Sequence, residues 1–271
     1  MQQLLNKIHS GHWAVMGILN VTPDSFSDGG RFNQLDNALS HALQMQQQGA
    51  EIIDIGGEST RPGALPVSLD EELERVVPVI QKIRAHSEVL ISVDTSKPAV
   101  MQAAIEAGAN MVNDVNALHA EGAVELCVKH RVAVCLMHKQ GSPQTMQNNP
   151  QYQDVVSEIR QYLTDRARTC IEAGLPADQI CIDPGFGFGK SLKNNLSLLK
   201  QLNEFCVLDY PVLLGISRKS MFGQLLGREV DERLIASVAA VVIAYQKGAR
   251  LFRVHDVAET CDALKLCAAV E

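Results

Sequence analysis

The sequence predicts a single eight-stranded (β/α) barrel, the TIM-barrel architecture of the α/β class, with its active site at the C-terminal ends of the strands. Three observations carry that expectation. Short apolar runs alternate with helical patterns along the whole of residues 1–271. Most of the runs are continuously apolar rather than alternating, as parallel strands covered on both faces require. No Pro/Ser-rich linker divides the chain, and 271 residues suit one barrel, which typically needs about 250.

The first strand is expected at Ala14–Asn20, followed by a helix over Leu35–Gln48 that ends at Gly49, a C-cap glycine. The second strand, Glu51–Gly56, leads to a helix over Leu69–His86 whose acidic first turn, Asp70-Glu71-Glu72, suits the positive end of the helix dipole. Leu90–Asp94 precedes Pro98–Ala107, with Pro just inside its start and Gly108 beyond its end. Met111–Asn113, Ala133–His138, Ile180–Asp183, Val212–Ile216 and Leu251–His255 complete the strands. Glu121–His130, Tyr152–Ala173, Asn194–Glu204, Asp231–Lys247 and Val257–Ala269 complete the helices. Within Asp231–Lys247 the stretch from Ile235 to Ala244 is apolar almost all round, although an outer barrel helix should have a wet face. Burial against a second copy of the chain, or under a covering loop, would account for it.

Apolar residues make up 46% and charged residues 20%, a balance that provides ample core. Aromatics are only 4%, so Leu, Ile, Val and Ala must build that core. The net charge of −7 and a pI near 5.6 speak against non-specific nucleic-acid binding. No segment has the roughly 20 uninterrupted apolar residues of a membrane span. Met1 to Trp13 lacks the apolar stretch of a signal peptide. The seven cysteines include no C-x-x-C pair, and Cys135 and Cys181 sit inside apolar runs as small core residues. A cytoplasmic, reducing location is expected.

In such a barrel the chemistry lies on the loops leading out of the strands, so polar residues should gather there. They do, at Asn20, Glu58 to Arg61, Asp94 to Ser96, Asn113-Asp114, His138, Asp183, Ser217 to Ser220, and Arg253, His255 and Asp256. Taken singly, Ser96 and Asp114 also read as a cap or a turn. Arg61, Arg218, Lys219, Arg253 and His255 form a cationic rim on an acidic protein, which calls for an anionic ligand, phosphate or carboxylate. Asp94, Asn113 and Asp183 should sit deeper. A buried carboxylate must be paired. The N3–H/2-amino edge of a pterin would satisfy one bidentately, and so would a neighbouring Lys or Arg.

Asp183-Pro-Gly-Phe-Gly-Phe-Gly-Lys-Ser191 is not a phosphate loop, because Pro184 stands where the Walker pattern requires Gly. The dinucleotide fingerprint fails too, for want of a third Gly at position 190. Its glycines would instead let the backbone and Phe188 close over a flat ligand. The four mid-chain histidines show no H-x-x-x-H or H-E-x-x-H spacing, so no protein-built zinc site is indicated. Mg²⁺ is the expected ion, since it needs few protein ligands when a pyrophosphate supplies the rest. The polar loops at 21–30 and 56–64 are compatible with lids over substrate or with plain surface loops.

Several runs together resemble the bacterial dihydropteroate synthases, a pterin-binding family. They are Gly17-Ile-Leu-Asn-Val-Thr-Pro-Asp-Ser-Phe-Ser-Asp-Gly-Gly30, Gly56-Gly-Glu-Ser-Thr-Arg-Pro-Gly63, Ser92-Val-Asp-Thr95, Asn113-Asp114, Asp183 to Lys190, Gly215 to Ser220 and Arg253-Val-His255. They span residues 17–255 with no departure at a motif position. The resemblance implies a transferase that condenses 6-hydroxymethyl-7,8-dihydropterin pyrophosphate with p-aminobenzoate, giving 7,8-dihydropteroate and pyrophosphate in folate biosynthesis. It also implies a homodimer and a sulfonamide-binding region.

By the same resemblance Asp94, Asn113, Asp183 and Lys219 hold the pterin ring, with Met137 and Ile18 among its apolar walls. Asn20 helps bind Mg²⁺ beside the pyrophosphate, which Arg61, Arg253 and His255 receive. Thr60, Arg61, Pro62, Phe188 and Ser220, with Phe26 in the first loop, surround p-aminobenzoate. Its carboxylate would meet Ser220 and the start of the following helix. No Ser-His-Asp or Cys-His set is apparent, and an arylamine attacks without a strong base. The demanding step is departure of pyrophosphate, in a dissociative displacement supported by ring electrons. Asp94, Asp183, Lys219, Arg253 and His255 would carry the catalysis electrostatically. Two other readings stay open. One is a barrel passing a methyl group from methyltetrahydrofolate to a corrinoid, with no use for a pyrophosphate pocket. The other is a non-catalytic pterin-binding protein, with no use for Ser217 to Ser220.

Overall fold

The computed structural model describes residues 1–21, 31–59, 63–141, 146 and 150–271, with backbone alone at 31–33. The chain opens with helix α1 (Gln2–His9) and continues through β1 (Ala14–Asn20), α2 (Arg31–Gln47), β2 (Ile52–Gly56), α3 (Leu69–Arg84), β3 (Leu90–Asp94) and α4 (Pro98–Glu106). Next come β4 (Met111–Asp114), α5 (Ala123–His130), β5 (Ala133–Met137), α6 (Val155–Glu172), β6 (Ile180–Asp183), α7 (Leu192–Lys200) and α8 (Asn203–Cys206). The last elements are β7 (Leu213–Leu214), α9 (Ser220–Leu226), α10 (Leu234–Gln246), β8 (Leu251–Val254) and α11 (Val257–Ala269).

The strands form one eight-stranded sheet in the order β6-β5-β4-β3-β2-β1-β8-β7. All the pairings are parallel. A single bridge between Ile182 and Val212 brings β6 to β7 and closes the barrel. There the Ile182 N–H donates to the Pro211 carbonyl at 3.0 Å. The fold predicted from alternation of runs is thereby borne out.

Strand periodicity of two decides what lies inside. Ala14, Met16, Ile52, Met111, Ala133, Cys135, Cys181, Leu213 and Leu251 form the barrel floor, joined by Leu4, Leu5 and Ile8 of α1. Helix α1 therefore plugs the N-terminal mouth, and its three side chains contribute roughly 5–9 kcal/mol of apolar burial as an upper estimate. The opposite parity, including Val15, Ile53, Ile91, Val134, Ile182 and Phe252, packs outward against the helices. Two residues beyond the floor, the inward parity reaches Asp54, Ser92, Asn113, Asp183 and Arg253, and two beyond Ser92 it reaches Asp94. The barrel is dry at its base and polar at its carboxyl end.

Differences from the expected elements lie mostly at their ends. β7 shrinks from Val212–Ile216 to two ladder residues at the closing seam, where Pro211 has no N–H to offer. Strands five and eight stop one residue short, leaving His138 and His255 in loops. The expected helix at Asn194–Glu204 divides into α7 and α8. The one at Asp231–Lys247 becomes a 3₁₀ turn, Val230–Glu232, followed by α10. α6 starts late because Asp154 caps it, accepting from Val156 and Ser157 N–H at 3.1 and 3.3 Å. α1 was not anticipated. It carries its apolar residues at positions 4, 5 and 8, the spacing of one helix face.

Candidate active site

The core of the site is an ion cluster built on the inward parity of β2, β3, β4 and β8. Arg253 on β8 donates from Nε to Asp54 Oδ2 at 2.6 Å and from Nη2 to Asp94 Oδ2 at 2.7 Å. Asn113 Nδ2 donates to the same Asp54 oxygen at 3.2 Å. Asp54 is 0% exposed, yet among the described residues its Oδ1 has no partner, and neither do the buried Asp94 Oδ1 and Ser92 Oγ. Leaving such atoms unmatched costs about 1–3 kcal/mol each, so the lumen is prepared for a ligand that brings hydrogen-bond donors. Burial pushes the Asp94 carboxyl up to about 7, against the opposing pull of Arg253. For Asp94 the two readings of the sequence therefore coexist, one oxygen held by arginine and the other open.

Asp183, at the end of β6, forms the second half. Its Oδ1 accepts from the Gly185 N–H at 2.7 Å. Burial raises its carboxyl, opposed by that N–H and by Lys219, Lys190 and Arg253. The loop beyond it turns through Gly185, Gly187 and Gly189, all at positive φ. A Cβ at Gly185 would stand 1.9 Å from the His138 carbonyl oxygen, so only glycine allows this approach. Phe188 joins Met137, Val115 and Met146 in a small apolar cluster. The Lys219 ammonium lies 4.1 Å from the centre of its ring, a cation–π contact. Lys190 is fully buried and faces His138. Burial draws Lys190 down to about 7 and, together with that cation, His138 down to about 3, so His138 is neutral.

The loops after β7 and β8 complete the rim. Ser217 Oγ accepts from the His255 backbone N–H at 3.2 Å and lies 3.0 Å from His255 Nδ1. A hydroxyl donating to Nδ1 leaves the ring proton on Nε2. Arg218 adopts φ +55 and faces away from its neighbour Lys219 in its chemistry: its guanidinium holds Asp256, through Nε at 3.0 Å and through Nη2. Ser237 on α10 accepts from its N–H at 2.8 Å. Arg218 is thus a clamp between the two loops rather than a member of the cationic rim expected from sequence. Ser220 is exposed at the first turn of α9.

The structure therefore brings together Ile18, Asn20, Asp94, Asn113, Met137, Asp183, Phe188, Lys219, Ser220, Arg253 and His255 at the carboxyl end of the barrel. Thr60, Arg61, Pro62 and Phe26 lie outside the described residues, as do the tips of both polar loops. The sequence reading missed Asp54, Ser92 and Lys190. It also missed the buried Glu72, which with Thr95 and Lys97 underlies the second loop: Thr95 Oγ1 donates to it at 2.6 Å, and Lys97 bridges it to Glu58. Asp54 had one available signal, a lone acid inside an otherwise apolar strand. Among the described residues no group of three or more His, Cys, Asp or Glu could hold a metal. The single donor expected for Mg²⁺, the Asn20 amide oxygen, lies beside Gly56 next to Asp94, which fits an ion bound chiefly through its substrate.

A family model described as pterin binding enzyme matches residues 16–255. The dihydropteroate synthase of Haemophilus influenzae is 52% identical over 252 residues, covering 93% of this chain and 92% of that protein. The structure of Xanthomonas albilineans dihydropteroate synthase with 4-aminobenzoic acid superposes with a TM-score of 0.91 at 49% identity, covering 96% of this chain and 93% of that one. That of Yersinia pestis dihydropteroate synthase in a sulfonamide drug complex gives 0.91 at 50% identity, with 96% and 94% covered. The resemblance read from the motifs between residues 17 and 255 is borne out.

Proposed function

This chain belongs to the pterin-binding enzyme family, and from that premise we propose that it condenses 6-hydroxymethyl-7,8-dihydropterin pyrophosphate with p-aminobenzoate to give 7,8-dihydropteroate and pyrophosphate. The observation that carries the reading is the pair of buried carboxylates, Asp94 and Asp183, at one end of the barrel. Among the described residues Asp94 keeps one oxygen unpartnered, and Lys219 and Arg253 lie near Asp183.

On this reading the pterin lies across Ile18 and Met137, with Asp94, Asn113 and Asp183 taking its N–H groups and Lys219 its carbonyl side. The carboxylates favour the electron-poor ring that develops as the methylene carbon releases its leaving group. His255, held in one tautomer by Ser217, donates to the departing pyrophosphate. Arg253 contributes its charge, with Nη1 the nitrogen left without a partner among the described residues. Mg²⁺, when bound through the pyrophosphate and Asn20, would supply further charge neutralisation there. The p-aminobenzoate nitrogen attacks from the side of Phe188, Lys219 and Ser220, with Thr60, Arg61, Pro62 and Phe26 around it. A sulfonamide would occupy the same place.

The exposed apolar residues Ile235 and Ile243 of α10, with Leu266 of the adjacent α11, suit the interface of a homodimer. The seven cysteines are free. No described helix is long and apolar enough to cross a membrane. A cytoplasmic enzyme of small-molecule substrates fits these features.

The deciding experiment mixes the protein with the dihydropterin pyrophosphate, p-aminobenzoate and Mg²⁺, and follows pyrophosphate and dihydropteroate together. Release that depends on p-aminobenzoate and matches dihydropteroate formed is the expected result. Pterin binding with neither product would overturn the reading in favour of a binding protein or a corrinoid methyltransferase.

A further inference from the structure

We infer that Lys190 is a positioning residue: its buried ammonium is the donor on which the loop carrying Asp183 and Phe188 is assembled. The ammonium donates to the carbonyls of Gly185 at 2.8 Å, Phe188 at 3.0 Å and His138 at 3.3 Å, and lies 3.1 Å from His138 Nδ1. Three carbonyl dipoles and an imidazole lone pair thus converge on one point. Without a donor between them their negative ends repel.

The same backbone groups carry the site. The Gly185 N–H holds the Asp183 carboxylate while the Gly185 carbonyl holds Lys190. Phe188 gives its carbonyl to Lys190 and its ring face to Lys219. Lys190's own carbonyl accepts from Asn195 Nδ2 at 3.1 Å, and Asn195 Oδ1 accepts from the Gly187 N–H at 2.8 Å. Tyr152 ties the loop from outside, donating to the Gly189 carbonyl at 2.9 Å. One donor group therefore fixes the end of β5, the carboxylate of Asp183 and the aromatic wall at Phe188. Lys190 is 2% exposed, so it acts through these groups and does not touch substrate.

The kinetic part of the test rests on the proposed reaction, and the exchange part does not. Lys190→Met keeps the length of the side chain and removes every donor. Amide hydrogen exchange read on peptides spanning 183–190 should accelerate in the full-length variant while the far-UV circular dichroism stays that of the parent. KM for both substrates should rise by about tenfold to a hundredfold, the effect of ångström-scale misplacement. In Lys190→Ala, added methylammonium should recover part of both losses and leave the parent unaffected. If Lys190→Met is insoluble, Lys190→Gln, which keeps two N–H donors without charge, is read by the same measurements. Unchanged exchange with unchanged KM overturns the inference, and so does a fall in kcat alone, which a reduced folded fraction explains. Accelerated exchange in a protein whose parent makes no dihydropteroate would uphold Lys190 and remove the synthase reading.

Discussion

Arg253→Ala separates a catalytic charge from a structural one, because the guanidinium faces two buried carboxylates at 2.6 and 2.7 Å. Removing one partner of a buried pair leaves an uncompensated charge, at a cost of about 3–5 kcal/mol. For a chain of this size that lowers Tm by roughly 6–20 °C. The deficit must depend on pH. Asp94 has a folded pKa of about 7, above its ordinary value, so the stability linked to its proton is complete below about pH 4 and lost as pH rises through 7. Arginine is the group that pulls this value down, so the variant should hold the proton to still higher pH. The difference in Tm between parent and variant should then be level between about pH 4 and 6 and grow from about pH 7 toward 9, where only the parent gives up the proton. Thermal melts followed by circular dichroism across that range measure it. Turnover should fall about a hundredfold, the usual loss for one preorganised electrostatic contact. A Tm difference that is flat with pH would refute the buried-counterion reasoning, and near-normal turnover would refute the role in catalysis.

Three further outcomes are expected. Ser217→Ala removes the acceptor of the His255 N–H and the partner of its Nδ1, so kcat should drop about threefold to tenfold with KM for p-aminobenzoate unchanged, measured by steady-state kinetics. Leu5→Ala hollows the plug under the barrel floor and should cost about 2–5 kcal/mol in urea unfolding, with activity per folded molecule preserved. Ile235→Asp places a charge on the most exposed large apolar side chain of α10, and sedimentation should show a dimer becoming monomeric; an unchanged mass would remove that face as the interface.

How much of this was legible in the sequence follows from what period and composition can express. Strand and helix runs gave the barrel because a parallel sheet covered on both faces writes itself as continuous apolar segments. Strand-end polarity then located the pocket, since the barrel puts every such end on one rim. The same code hid Asp54. In Ile52-Ile53-Asp54-Ile55 a single acid does not announce whether it points inward, and only the register Ile18–Asp54–Ser92 does so. The short β7 was overextended because Val212 to Ile216 are apolar whether or not they join the ladder.

Neighbouring cations show where local sequence stops being informative. Arg218 and Lys219 are adjacent and equally basic, yet one clamps Asp256 and the other lies over Phe188. What separates them is a backbone turn at φ +55, held from outside the loop by Ser237 and by Arg233, which donates to the Arg218 carbonyl at 3.2 Å. A non-glycine residue keeps such a conformation only when its surroundings over-determine it. Here those surroundings come from α10 and the residue just before it, 19 and 15 residues on. Lys190 makes the same point more strongly. Pro184 speaks against a phosphate loop, but the partners that give this lysine its role are mostly main-chain carbonyls, which every residue possesses and no sequence pattern marks. Side chains whose role is set by main-chain groups or by a turn held from elsewhere are therefore the part of a site that needs coordinates, while those that bind through their own position at a strand end do not.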